Sequence, residues 1–265
     1  MFKGKTVLIS NDDGIFSKGI YYLAKALHEK NAEVYVCAPS EERSASSHAI
    51  SLREPLRMTE INKSFGHWYA VSGTPADSTY MGLFHVLKNN PPFFVFSGIN
   101  NGLNLGTDIF YSGTFAAAAE SAIRGFPSMA VSVEFGSKDE IFESAAFYAV
   151  KIAEKLLKKP TPERIVFNFN YPSVKIPCGL KITTLGKRIY DDKVDERIDP
   201  KGRKYYWIGG GQINDKNIAT ASEYEALKSD KISLTPVDLR CGLSMKFDDF
   251  QSELQKVEKD FSTNE

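Results

Sequence analysis

The sequence predicts an α/β fold: a mostly parallel sheet with helices on both faces. Three observations predict it. Short, unbroken, β-branched apolar runs recur along the chain. Stretches with helical apolar spacing lie between them. Gly, Asn and Asp cluster where the runs end. A run that is apolar at every residue describes a strand buried on both faces, the usual condition in a parallel sheet. Strand and helix in alternation then require right-handed βαβ crossovers.

Thr6–Ser10 is the first strand, broken by Asn11-Asp12-Asp13-Gly14. Ile20, Leu23, Ala24 and Leu27 follow at helical spacing, ending at Lys30-Asn31. Residues 33–38 form the second strand, stopped by Pro39. Residues 68–72 are a strand, and Gly73-Thr74-Pro75-Ala76-Asp77 opens a helix running to about Leu87. Thr74 serves as its N-cap, Pro75 as its first helical residue, and Asp77 sits in the first turn. Residues 93–97 are another buried strand, followed by a Gly/Asn-rich loop from Gly98 to Gly113. A small-residue helix at 114–124, a strand at Ser128–Val133, an amphipathic helix at 140–158 and a strand at 164–170 complete the regular part.

After about Tyr171 the pattern changes. Short β-like pieces at 180–184, 205–209 and 232–235 alternate with charged segments, densest at 191–204, and 248–261 has the spacing of a terminal amphipathic helix. The chain therefore divides into a Rossmann-like core, residues 1–172, and a C-terminal extension of hairpins and tail, residues 173–265, expected to mediate self-association.

Lys plus Arg and Asp plus Glu both number 33, so no global basic field attracts duplex nucleic acid. Cys37, Cys178 and Cys241 are odd in number and far apart, with no C-x-x-C pair. Each reads as a buried small hydrophobe. The first residues lack the apolar core of a signal peptide, and no stretch is long and apolar enough to span a bilayer. The expected compartment is the reducing cytoplasm, with no membrane partner.

Four loops carry the chemistry, and all follow strands. In an open α/β sheet ligands gather outside the carboxyl ends of the strands. A dinucleotide site would place glycines after the first strand, whereas this chain places Asp12 and Asp13 there. Two adjacent carboxylates repel a bare phosphate, but they suit it once a hard cation lies between. The 38–48 loop after the second strand is rich in hydroxyls and holds Arg43 and His48. The 97–106 loop combines Gly98, Gly102 and Gly106 with Asn100, Asn101 and Asn104, whose carbonyls are neutral oxygen donors. Tyr111-Ser112-Gly113-Thr114 opens the Ala-rich helix, whose free N-terminal amides suit a phosphate. A zinc-dependent amide hydrolase would pair such acids with histidines, and none accompanies Asp12 and Asp13.

These segments, in this order, resemble the SurE family of survival proteins, the 5′-nucleotidases. The resemblance extends through Gly202-Arg203-Lys204-Tyr205-Tyr206-Trp207 and Ser233-Leu234-Thr235-Pro236, and so covers nearly the whole chain. It implies a Rossmann-like domain with an oligomerising tail, forming a homodimer or tetramer. It implies hydrolysis of nucleoside 5′-monophosphates, and possible extension to 3′-monophosphates and short polyphosphate, with one divalent ion per subunit, Mg²⁺ or Mn²⁺. Carried over by position, Asp12, Asp13, Ser44 and Asn100 are metal ligands. Asn11, Asn104, Ser112, Gly113 and Thr114 bind substrate or phosphate, and Asp12, Asp13, Asn100 and Ser112 are catalytic. Asn101 stands where a basic residue is common in the family, and Phe115 where Val is common. The rival reading is a metal- and nucleotide-binding regulatory protein without turnover.

Overall fold

The computed structural model describes residues 1–186, 193–209 and 221–240. The strands are β1 (Thr6–Ser10), β2 (Glu33–Pro39), β3 (Met58–Ile61), β4 (His67–Val71), β5 (Phe94–Asn101), β6 (Ser128–Val133), β7 (Ile165–Tyr171), β8 (Leu180–Ile182), β9 (Lys193–Ile198), β10 (Lys204–Gly209) and β11 (Ile232–Asp238). The helices are α1 (Lys18–Glu29), α2 (Pro75–Met81), α3 (Gly113–Ile123), α4 (Asp139–Leu156) and α5 (Glu223–Lys228).

One nine-stranded sheet runs in the order β3-β4-β2-β1-β5-β6-β7-β11-β8. From β4 to β7 all neighbours are parallel. β3 is antiparallel to β4 and β11 to β7, so antiparallel strands lie toward both margins. β1 shows why helices cover both faces. Val7 and Ile9 bury on one side, in a core shared with Leu23 of α1 and Phe142 of α4. Leu8 points the other way, against Cys37 and Leu83. α1 packs with α4, and α2 with α3. β1 sits between β2 and β5, where the strand order reverses, so its carboxyl end opens into the crevice of a topological switch point.

Several boundaries differ from the sequence reading, each for a local reason. The regular helix at 75 ends at Met81 and passes into a wider turn, Gly82–Val86, closed by Leu87 N–H to the Gly82 carbonyl at 2.9 Å. Gly82 lies so close to β1 that a Cβ there would meet the Leu8 methyls at 2.8 and 2.9 Å. β5 does not stop at Gly98. It continues to Asn101 through a register shift between Ser97 and Asn100, and buries Ile99 completely. A short helical turn, Gly106–Phe110, interrupts the supposed loop after it. β3 and β9 were not anticipated, because MTEI and KVDERI are largely polar and exposed. The 232–238 and 180–182 strands join the main sheet, while β9 and β10 form a separate antiparallel hairpin. Cys37 is buried as expected, but Cys178 is an exposed free thiol in the approach to β8. Cys241 and the 248–261 helix lie outside the described residues.

Candidate active site

The carboxyl ends of β1, β2 and β5 open into a cleft of about 410 Å³, lined in part by Asp12, Asp13, Ser44, Asn100, Asn104 and Ser112. The turn after β1 sets the acidic pair. Buried Asn11 donates from Nδ2 to the Gly14 carbonyl at 2.9 Å and to Ser17 Oγ at 2.8 Å, stapling the chain back on itself. The structure thus places Asn11 beneath the turn and not in the cleft wall, unlike its sequence assignment to substrate. Gly14 has φ of +89°, and a Cβ there would press on the Glu41 backbone at 3.1 Å.

Asp12 is nearly inaccessible, and the start of α3 is aimed at it. The Thr114 hydroxyl donates to Asp12 Oδ1, and the Gly113 and Thr114 amides also bond its carboxylate. The sequence reading reserved those amides for phosphate. In the structure the anion at this helix N-terminus is the protein's own carboxylate. Gly113 explains the closeness: a Cβ on it would meet Asp12 Cβ at 2.8 Å, Pro75 Cγ at 2.8 Å and Ser46 Oγ at 2.9 Å. Ser112 caps the helix by accepting from Phe115 N–H at 3.0 Å, and it remains on the cleft side.

Asp13 accepts from the Asn101 N–H at 3.1 Å. Asn100 donates from Nδ2 to the Gly102 carbonyl at 2.6 Å, which directs its Oδ1 away from Gly102. Ser44 donates to Glu42 at 2.6 Å. Asn104 belongs to a buried amide network: its carbonyl accepts from Asn168 and Asn170, and its Nδ2 donates to Ser132 at 2.8 Å. That network fixes the 103–105 loop against β6 and β7.

The electrostatics ask for a cation. Burial lifts the Asp12 carboxyl above its ordinary range, against the hydrogen bonds from Thr114 and Gly113. Burial first, then the Asp12 charge, push Asp13 up to about 6. Asn101 opposes that shift and Glu42 adds to it. The cleft wall also includes Glu42 and Asp108, and no Lys, Arg or His lines it among the described residues. Arg43 pairs instead with Glu41 at 2.7 Å, and His48 with Glu120 at 2.8 Å. The cleft wall offers two carboxylates, a hydroxyl and an amide carbonyl, oxygen donors of the kind hard divalent ions take. No group of three or more His, Cys, Asp or Glu placed to hold a metal occurs among the described residues.

The family model described as Survival protein SurE matches residues 7–192. The chain belongs to the SurE family. A relative from Caldanaerobacter subterraneus subsp. tengcongensis, named 5′-nucleotidase SurE, is 44% identical over 239 residues, covering 88% of this chain and 92% of that protein. One of the same name from Myxococcus xanthus is 42% identical over 235 residues, covering 89% and 88%. The crystal structure of the SurE protein from Aquifex aeolicus superposes with a TM-score of 0.79 at 37% identity, covering 96% of this chain and 99% of that one.

In this SurE-family chain the sequence reading missed Glu42, Asp108 and Phe135 of the cleft wall, and the role of Glu120. Glu42 is two residues before Ser44, and Phe135 follows β6 on the same sheet edge, so their positions were the available signal. Glu120, buried on α3, receives His48 from the loop that carries Ser44 and Arg124 from its own helix, each at 2.8 Å. Ser47 closes the same loop on Tyr111, its N–H reaching the Tyr111 carbonyl at 3.0 Å. Burial alone would raise the Glu120 pKa, but the hydrogen bonds and charges of His48 and Arg124 outweigh it and hold the carboxyl below its ordinary range. A carboxylate lowered on folding stabilises fully above its unfolded pKa of about 4.3, and loses that contribution as pH falls through the folded value. Glu120→Gln is therefore expected to cost about 2 kcal/mol at pH 7, discounted for its partly exposed partners. The gap from wild type should close in urea unfolding at progressively acid pH. A gap that widens below pH 4 would contradict this role.

Proposed function

We infer that this chain is a divalent-metal-dependent 5′-nucleotidase that hydrolyses nucleoside 5′-monophosphates to nucleoside and phosphate. The observation that carries the reading is the acidic, all-oxygen cleft at the β1–β5 switch point, in a chain so similar to proteins named 5′-nucleotidase. Asp12, Asp13, Ser44 and Asn100 would hold one Mg²⁺ or Mn²⁺. The ion would supply positive charge that neutralises a phosphoryl group and polarises its oxygens. The start of α3 holds Asp12 in place through Thr114 and Gly113, whose hydrogen bonds oppose the effect of burial on its charge. The Asn101 N–H holds Asp13 in the same way, opposing its upward shift without cancelling it. Ser112 offers its hydroxyl to a phosphoryl oxygen, and the buried network orients Asn104 beside it. Gly113 and Thr114 act on phosphate through Asp12. Hydrogen bonds set in advance around the reacting group need no rearrangement during the reaction.

A phosphate-release panel tests the reading. Nucleoside 5′-monophosphates should turn over with Mg²⁺ or Mn²⁺ and stop with EDTA. Nucleoside 3′-monophosphates and tripolyphosphate in the same panel define the breadth of the site. Nucleotide binding without phosphate release would replace this reading with a regulatory one.

The β9–β10 hairpin supports self-association as a homodimer or tetramer. It exposes Val194, Ile198, Tyr206, Trp207 and Ile208, the last at 94%. So much apolar surface on one protruding hairpin is typical of a protein contact. We place the exchange or packing of the 173–265 extension between subunits on this hairpin. Light scattering at micromolar concentration should show a dimer or tetramer that Trp207→Ser with Ile208→Asp dissociates. A wild-type monomer would refute it. The cytoplasm is the compartment that fits, since the exposed Cys178 is a free thiol. No helix among the described residues is long and apolar enough to cross a membrane.

A further inference from the structure

The cleft has two ends of opposite character. Its floor is acidic, yet its wall also includes two aromatic rings left open to solvent: Phe135 is 81% exposed and Tyr111 66%. Sheet order places them on opposite sides of the acidic pair. Tyr111 is tied to the loop after β2, because Ser47 N–H reaches its carbonyl at 3.0 Å. Phe135 follows β6 and is tied to the end of β5, because the next residue, Gly136, donates its N–H to Asn101 Oδ1 at 3.0 Å. In the order β2-β1-β5-β6, the end of β1, which leads into Asp12 and Asp13, and the end of β5, which carries Asn100, lie between the loops after β2 and β6. Both rings are therefore held by their backbones at the rim, one on each flank.

We propose that Tyr111 and Phe135 form the subsite that receives the nucleobase, their rings stacking on the heterocycle while the acidic floor holds the phosphate end. The proposal rests on the 5′-nucleotidase reading of this same cleft. Large aromatic faces left in water beside a polar site gain by covering a flat π-system, and base–aromatic stacking is worth about 1–3 kcal/mol per base. Leu103 and Ala45 of the cleft wall add apolar lining. Neither anchoring hydrogen bond involves the Tyr111 or Phe135 ring, so the rings can be changed without disturbing them.

The test compares a nucleoside 5′-monophosphate with ribose 5-phosphate, which shares the sugar phosphate and lacks the base. Binding and turnover of both are measured in wild type, Phe135→Ala, Tyr111→Ala and the ring-keeping Phe135→Tyr and Tyr111→Phe. Each alanine variant should raise KM and Kd for the nucleotide about tenfold with little change in kcat, a shift within the stacking range. Ribose 5-phosphate should bind the alanine variants about as it binds wild type, and the ring-keeping variants should restore nucleotide affinity. Equal losses on both substrates, or a change of oligomeric state in light scattering that accounts for the loss, would overturn the subsite. So would unchanged nucleotide affinity in both alanine variants. A wild type that binds the nucleotide more tightly than ribose 5-phosphate but releases no phosphate would sink the nucleotidase reading and keep the subsite.

Discussion

Asp13→Asn lowers kcat/KM for a nucleoside 5′-monophosphate by at least about 10²-fold, while the fold stays intact. The substitution keeps the shape and removes one charge from the donor set, and losses of this size follow removal of a group that stabilises the transition state. The same change should stabilise the metal-free protein. Burial and the Asp12 charge push the Asp13 carboxyl up to about 6 there, from an ordinary 3.8. Between those values the folded state holds a proton more tightly than the unfolded chain, so stability falls as pH rises through that window and stays lower above it. Removing the charge returns at most roughly 3 kcal/mol at pH 8, the free energy of that shift. Differential scanning calorimetry without metal should show the higher Tm for Asp13→Asn, and added Mn²⁺ should raise the wild-type Tm much more than the variant's. Near-wild-type turnover of the variant at saturating Mg²⁺ and Mn²⁺ would refute the role of Asp13.

Gly113→Val abolishes most activity by a different route. The added Cβ would fall 2.8 Å from Asp12 Cβ and from Pro75 Cγ, so α3 must back away from the end of β1. Overpacking of this kind costs about 1–3 kcal/mol of stability. The larger effect is on the site, since the retreat carries the Thr114 hydroxyl and both amides off Asp12. A loss in kcat/KM of about 10²-fold is expected, by the measure of a removed transition-state donor. Thr114→Ser keeps the hydroxyl and should lose far less. Ser112→Ala should fall between them, forfeiting a charge-assisted hydrogen bond of about 1.5–3 kcal/mol. Initial rates for the three variants check the order. A Gly113→Val enzyme with full activity would separate the start of α3 from catalysis.

These residues also show where sequence reasoning reached and where it stopped. The buried strands were legible because Val7, Leu8 and Ile9 carry their burial in their own chemistry. The acidic pair was legible only in company: Asp-Asp-Gly alone reads as a turn, and it points to a cation because three other polar loops follow strands on the same sheet edge. What the α3 amides bond to was not legible. Chain order shows that a helix begins at Gly113, and only packing shows that its first anion is Asp12. The turn-closing role of Asn11 was illegible for a similar reason, since an Asn beside two aspartates reads as a substrate-binding residue until its amide is seen to bond Gly14 and Ser17. β3 and β9 escaped because polar, exposed strands lack the periodic signal that marks a half-buried one. Phe135 escaped because a lone aromatic after a strand gives no sign of facing a cleft whose acidic floor, at Asp12 and Asp13, is far away in sequence and is brought beside it only by the folded sheet.

The central claim is that one divalent ion held at Asp12 and Asp13 is required for phosphate release. Its most direct test is titration of Mn²⁺ into metal-stripped protein while phosphate release from a nucleoside 5′-monophosphate is followed. Activity should rise from background and saturate at one ion per chain when the protein concentration exceeds Kd, and it should fail to rise in Asp13→Asn. Full turnover by the stripped protein in excess EDTA would contradict the claim.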